Sequence, residues 1–394
     1  MGELDPLVVD AAVTDRVLDV RHRVGRPVKA ELFTKDTLGE LPWPDTEDGA
    51  YARDYLVPLV EHGTEAFVTN VATTYGVLLV DGRIVLPVSV NDGEQGNAWV
   101  CSPYTHYVTY AGEELRVLGS GVLRAVLAAA LAALGALCRW AELDRVVLVN
   151  NWLLSTNLYP AIEPAHERAA IRFLRERFPG HAVGFCSVNR RIDGCVMVPG
   201  RRIYLVRPGE QEARHRKRWR RDLRLVGRRG YEVVRPGEGD AARVVELYDL
   251  LYLDKYSRNN PQFTERFVRE TMRAGTITYW ALARDGRIDG VLGYFHRDGT
   301  LTTPIFGYDT ALPQGIGLYR MLSALVYQIA VDEGLSVNDS AGAGEFKRLR
   351  GAVPEIEYRA VYVGHLPWRR RTGWVVLAWL LDRVAVPVMR RYEL

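Results

Sequence analysis

Two stretches of the chain share one pattern of apolar runs broken at the same kind of place. VLLVDGRIVLPVSV at 77–90 and WALARDGRIDGVLGYF at 280–295 each set Asp-Gly between two runs rich in branched and aromatic residues. Such a pattern predicts two β-hairpins, at Asp81-Gly82 and Asp285-Gly286. Farther along each half a G-x-G turn opens an apolar helix. GSGVLR at 119–124 leads into a helix over 121–140, and GIGLYR at 315–320 into one over 317–333. A Val-containing run closed by asparagine then follows in each half, RVVLVNN at 145–151 and LSVND at 335–339. Four signals in one order predict an internal duplication.

At 394 residues the chain exceeds one ordinary core, so two domains are expected. Between the halves, the stretch from Arg214 to Arg229 holds nine basic residues. Trp219, Leu223 and Val226 recur there at helical spacing, which predicts a helix with one packed face and an arginine-rich face for a polyanion such as RNA. Net charge is only +3, but just five of the 51 basic residues are lysines. A lysine kept against that bias marks a place for a compact ammonium, which draws notice to Lys255 and Lys347. Four cysteines show neither C-x-x-C nor metal-ligand spacing with histidine, so reduced thiols and no metal site are expected. The acidic start MGELDPLVVD lacks an apolar run, and a cytoplasmic location is expected.

A hairpin sheet, a glycine turn, a helix and a further strand resemble the GNAT acyltransferase superfamily. Its duplication with an arginine-rich connection resembles the Fem-type, aminoacyl-tRNA-dependent branch. The resemblance spans about residues 60–366 and is sharper in the second half. It implies an α/β (α+β) fold of two tandem GNAT-like domains, each a mixed, mostly antiparallel sheet flanked by helices. The implied divisions are a degenerate N-terminal domain at 1–205, a basic helical connection at 206–240, a catalytic domain at 241–366 and an amphipathic helix at 367–394.

The resemblance also implies roles for single residues. TTPIFGYDT at 302–310 corresponds to the strand that aligns the reacting carbonyl, with Tyr308 and Asp309 as catalytic candidates. Asp309 as a cap at the strand end is an equal alternative. The turn Gly315, Ile316, Gly317 and Leu318, with Arg320, is implied to hold donor phosphates. The family's CoA pattern asks for Gln or Arg where Leu312 stands. A second family pattern matches at Ser340, Ala343 and Gly351, with Lys347 in the slot of an acidic tyrosine. Lys347 is therefore a catalytic candidate, as an acid or as charge stabilisation, while Ser340 and Arg350 join the donor side. Lys255, Tyr256 and Asn260 in YLDKYSRNNPQFT form the acceptor side, and Arg216, Arg220 and Arg224 the RNA-binding face.

The implied reaction is direct aminoacyl transfer from aminoacyl-tRNA to an amine, hydroxylamine or hydroxyl acceptor, with no cofactor beyond the donor. Acyl-CoA-dependent N-acylation is the alternative, and a non-catalytic RNA- or membrane-associated protein the second. WRRRTGWVVLAWLLDRVAVPVMRRYEL at the C-terminus reads first as a packed amphipathic helix whose apolar part, 374–389, is too short to span a bilayer. Surface contact with acidic lipid is the lesser reading.

Overall fold

Both expected hairpins are present in the computed structural model, which describes residues 28–115 and 121–392. β1 (Ala30–Phe33), β2 (Thr74–Val80) and β3 (Ile84–Asp92) belong to the first half, with β4 (Arg145–Val149) and β5 (Ala182–Val188). β6 (Val196–Val206) leads into the second half. There follow β7 (Glu232–Val234), β8 (Thr278–Arg284), β9 (Arg287–Arg297), β10 (Thr300–Tyr308), β11 (Ser336–Asn338) and β12 (Val353–Tyr362). Asp81-Gly82 and Asp285-Gly286 turn β2 into β3 and β8 into β9. All four residues have positive φ, from 54° to 75°, the conformation that Asp-Gly tolerates in tight hairpins.

All twelve strands form one sheet, in the order β1-β2-β3-β4-β5-β12-β6-β11-β10-β9-β8-β7. Read inward from its two edges, the order repeats. Each half is antiparallel until a single parallel pair, β4–β5 in one and β10–β11 in the other. The last strand of each half then crosses over, β12 pairing with β5 and β6 with β11. β6 and β12 meet antiparallel at the centre, from Val353↔Leu205 to Val361↔Val196. The duplication is thus stitched together by exchanged strands.

The helices that matter below are α1 (Glu47–His62), α2 (Gly121–Trp140), α3 (Pro164–Arg177) and α4 (Ala213–Leu223). After them come α5 (Ala241–Asp249), α6 (Glu265–Ala274), α7 (Leu318–Asp332), α8 (Gly344–Arg348) and α9 (Trp368–Leu380). Topology corrects one part of the sequence reading. α7 connects the parallel strands β10 and β11, and its counterpart between β4 and β5 is α3, not α2. α2 lies between β3 and β4, ahead of the strand that corresponds to β10. The mistaken match arose because both α2 and α7 are apolar helices followed by Val-rich strands, and hydrophobic pattern carries no strand order. Of the expected GSG turn, Gly119 and Ser120 lie outside the described residues.

Candidate active site

β10 and β11 are paired only from Thr300 to Thr302 and from Ser336 to Asn338. The register of β10 against β9 slips between Thr302 and Ile305, around Pro304, which has no N–H to give to a ladder. β10 continues to Tyr308, whereas the chain after β11 turns to β6. The Asp339 amide donates to Tyr204 O at 2.9 Å, and the Tyr204 amide to Ser340 O at 3.2 Å. Beyond Thr302 the β11-facing edge of β10 therefore has no strand beside it, and a wedge opens between the two. α5 presses on the far end of β10 so closely that a Cβ on Gly307 would lie 2.4 Å from the Leu247 carbonyl. Half-buried Tyr308 ends the strand, with its ring 6.4 Å from that of Tyr319 on α7. Tyr319 in turn meets Phe346 at 4.9 Å.

The loop after β11 is held by Lys347. This residue is only 4% exposed, on the short helix α8. Its ammonium donates to three carbonyls of the loop: Asp339 O, Ala341 O at 2.9 Å and, more distantly, Ser340 O at 3.4 Å. Three acceptors match the three N–H bonds of an ammonium. The loop needs the support, because Ser340 and Ala343 both sit at left-handed φ, 55° and 52°. Burial pulls the Lys347 pKa below its ordinary value, and the nearby Asp339 carboxylate opposes that. Burial likewise raises Asp339, while Lys347 and a hydrogen bond from Tyr327 (2.9 Å) resist. Lys347 therefore faces backbone, not the wedge, and positions the loop that forms one wall. Ser340 faces the first half, its hydroxyl 3.1 Å from Arg201 and 3.2 Å from Thr156.

The basic helix α4 packs onto α7 instead of standing free. Trp219 is fully buried, edge-on to Tyr327 at 6.3 Å, and its indole N–H donates to Gln211 at 2.9 Å. Asp222, also fully buried, accepts from Arg320 on one oxygen and from Arg350 on the other. Leu225 lies 3.5 Å from where a Gly317 Cβ would be, and Arg229 donates to Gly315 O at 3.1 Å. Beside this contact opens a cleft of about 360 Å³ lined by Arg218, Arg221, Arg320, Glu345, Phe346 and Arg350. Gly317 is left-handed (φ 86°) and, as the N-cap of α7, supplies no side-chain acceptor. The N–H groups of the first turn, at Leu318, Tyr319 and Arg320, are thus open to an anion.

Several expected roles change with these contacts. The Ile316 and Gly317 amides donate to Pro313 O and Gln314 O within the turn, so they are not free to cradle phosphate. Arg350 is buried on Asp222 and braces the cleft from behind. Asp309 is buried, accepts from Arg243 at 3.1 Å, from Arg287 and from the Ala311 amide at 3.0 Å, and with these contacts caps the strand end. Burial would raise its pKa, but these donors hold it below the ordinary carboxylate value. Asn260 is buried with its amide donating to Tyr252 O and Ser257 O, while its oxygen accepts from Trp99. It shapes the loop at 252–264, which docks on the first half through Asn70, Thr69 and Phe67. Lys255 and Tyr256 are exposed at the edge of that loop, 5.6 Å from ammonium to ring. Arg220 and Arg224 are exposed, whereas Arg216 is half-buried and reaches Gly209 O.

Three participants escaped the sequence reading: Asp222, Asp339 and Arg201. Asp222 had a signal, being the one carboxylate from Arg214 to Arg229, where a buried counter-ion would be expected. Asp339 followed the β11 asparagine without any motif. Arg201 lies on β6, in the half read as degenerate, yet it contacts Glu357 at 2.8 Å, Thr156 and Ser340.

Residues 213–348 match the family model described as an acetyltransferase (GNAT) domain. The match begins at the basic helix α4. No curated protein matches the chain. Among solved structures, L-PGS from Bacillus licheniformis is similar at 16% identity over 54% of this chain and 77% of that one, TM-score 0.41. FemX is similar at 9% identity over 58% and 83%, TM-score 0.44. A GCN5-related N-acetyltransferase from Kribbella flavida is similar at 12% identity over 85% and 71%, TM-score 0.34. Residues 213–348 are thus similar to GNAT acetyltransferase domains, which supports an acyltransferase.

Proposed function

With residues 213–348 similar to GNAT domains, we propose that this chain transfers an aminoacyl group from aminoacyl-tRNA to an amine, hydroxylamine or hydroxyl acceptor. The observation that carries the reading is the adjacency of the open β10 edge to an arginine-lined cleft at the start of α7. The donor's terminal phosphates lie in the cleft, against the first-turn amides of α7 and the guanidiniums of Arg218, Arg221 and Arg320. Its aminoacyl ester enters the wedge, where the β11-facing edge of β10 meets the carbonyl. The acceptor nitrogen or oxygen attacks the carbonyl carbon, and the carbonyl oxygen takes up the negative charge beside that edge. Collapse breaks the ester bond and expels the ribose oxygen, which receives the proton given up by the acceptor. Tyr308, half-buried at the strand end, supplies the hydroxyl that relays that proton. Lys255 and Tyr256 lie on the acceptor rim. Lys347 is a positioning residue. No covalent enzyme intermediate is required, and the donor implies a cytoplasmic site of action.

Acyl-CoA is the second reading, since a cationic cleft at a helix N-terminus suits a pyrophosphate as well. Against it stand Leu312 in the CoA pattern and the exposed Arg220 and Arg224, which extend positive charge beyond what a small donor would cover. Replacing Arg216, Arg220 and Arg224 together with alanine tests the choice. Each lost phosphate contact should flatten the log–log salt dependence of tRNA binding by about one unit, with unchanged thermal stability. Transfer from acyl-CoA at an unchanged rate in this variant and after ribonuclease treatment would move the assignment to the CoA reading.

A further inference from the structure

Two apolar helices leave much of their surface outside the core. α2 is apolar except for Arg124 and Arg139 near its two ends, yet of its described side chains only Gly135 and Cys138 are buried, and Val126 is 60% exposed. A helix this apolar usually buries its surface in a core or in lipid. Next to it runs a continuous helix, Trp368–Arg390, formed by α9 and its extension and long and apolar enough to cross a membrane. The helix is longer than the apolar span 374–389 read from the sequence, and one face packs as expected of an amphipathic helix. Trp374, Leu377 and Ala378 do pack inward. Trp368, Val375 and Trp379, at i, i+7 and i+11, face outward at 71%, 51% and 58% exposure. The two helices touch, Trp140 lying edge-on to Trp368 at 5.8 Å, so their outer faces are continuous.

Charge says what would cover this face. The whole chain is nearly balanced, with 51 basic and 48 acidic residues, but the two helices carry seven arginines against a single acid, Asp382. Arg124, Arg371, Arg383 and Arg390 are exposed around the apolar positions. Apolar residues with tryptophans and an arginine border form the pattern of a segment lying in a membrane interface. The helix is held flat against the domain by Arg370, which is buried and donates to Gly180 O, Glu142 O and Arg145 O, and by Trp374. That anchorage fits lying on a bilayer, not crossing one.

We propose that the joint face of α2 and the Trp368–Arg390 helix docks on an anionic lipid bilayer. The acceptor of an acyl transfer could then be met at a membrane surface, but the docking stands on its own observations and is independent of the donor. Its test is co-sedimentation of the full chain with phosphatidylcholine vesicles and with vesicles containing phosphatidylglycerol, read together with tryptophan emission. Anionic vesicles should bind at least about tenfold more protein than neutral ones and shift the emission to the blue. Trp368→Ser, Val375→Ser and Trp379→Ser combined should lose about tenfold in binding at an unchanged melting temperature, since all three side chains are exposed. Arg371→Glu with Arg383→Glu should abolish the preference for anionic vesicles. Absent vesicle binding overturns the proposal. So does a dimer in sedimentation velocity that the triple serine variant dissociates while vesicle binding stays the same, because a second copy of the chain would then be the occupant.

Discussion

Lys347→Met removes an ammonium from a buried position while keeping most of the stem volume. The carbonyls of Asp339, Ser340 and Ala341 lose their donor, and the Asp339 carboxylate loses its main compensating cation. Hydrogen bonds to a charged group contribute about 1.5–3 kcal/mol, and removing one member of a buried ion pair costs about 3–5 kcal/mol. These overlap, so the expected loss is about 3–5 kcal/mol at neutral pH, not their sum. The loss should shrink in acid. A carboxyl pKa raised by folding means that the native state holds more protons than the unfolded state between the two values, and stability falls as pH rises through that window. Burial already raises Asp339, and the variant raises it further, so protonation at low pH relieves the orphaned charge. Urea unfolding followed by tryptophan fluorescence, at pH 5 and at pH 8, measures both effects. A loss below about 0.5 kcal/mol, the size expected of a surface lysine, would refute the gripping role. An equal loss at both pH values would refute the part assigned to Asp339.

Asp222→Ala leaves the buried Arg350 guanidinium uncompensated and frees Arg320, so a loss of about 3–5 kcal/mol in urea unfolding is predicted; unchanged stability would contradict the bracing of α4 on α7. Asp249 is pushed up to about 6 by burial and by the neighbouring Asp254, and its Oδ1 is buried without a hydrogen-bond partner. Its charge therefore costs stability above that value. Asp249→Asn should gain roughly 1 kcal/mol at pH 8, discounted for partial exposure, and nothing at pH 4, with a pH-independent effect counting against this account.

Much of the second half was legible because its signals are local. Asp-Gly fixes a turn wherever it falls between two apolar runs, and Trp219, Leu223 and Val226 mark one face of a helix without reference to anything distant. Trp219 and Val226 are buried as that periodicity requires. What the sequence hid depends on contacts between remote segments. β6 and β12 exchange partners across some 150 residues, and no local pattern records which strand lies beside which. The same limit made α2 look like the partner of α7. The sequence marks Lys347 as unusual, but the turn at Ser340 and Ala343 decides what its ammonium meets, here carbonyls of its own loop. Asp309 shows the converse case. Its local sequence fits a cap or a catalytic group equally, and the contacts from Arg243 and Arg287, on α5 and β9, come from distant segments.

The central claim is transfer of an acyl group carried by tRNA, and the direct measurement is of the product. The chain is incubated with aminoacyl-tRNA bearing a radiolabelled amino acid and with candidate amine and hydroxyl acceptors, and loss of label from tRNA is followed alongside its gain by the acceptor. Label should pass to an acceptor, stop after ribonuclease treatment, and slow strongly when Arg218 and Arg221 in the cleft are both replaced by alanine. Label that stays on the tRNA with every acceptor, while acyl-CoA supports transfer under the same conditions, would contradict the account.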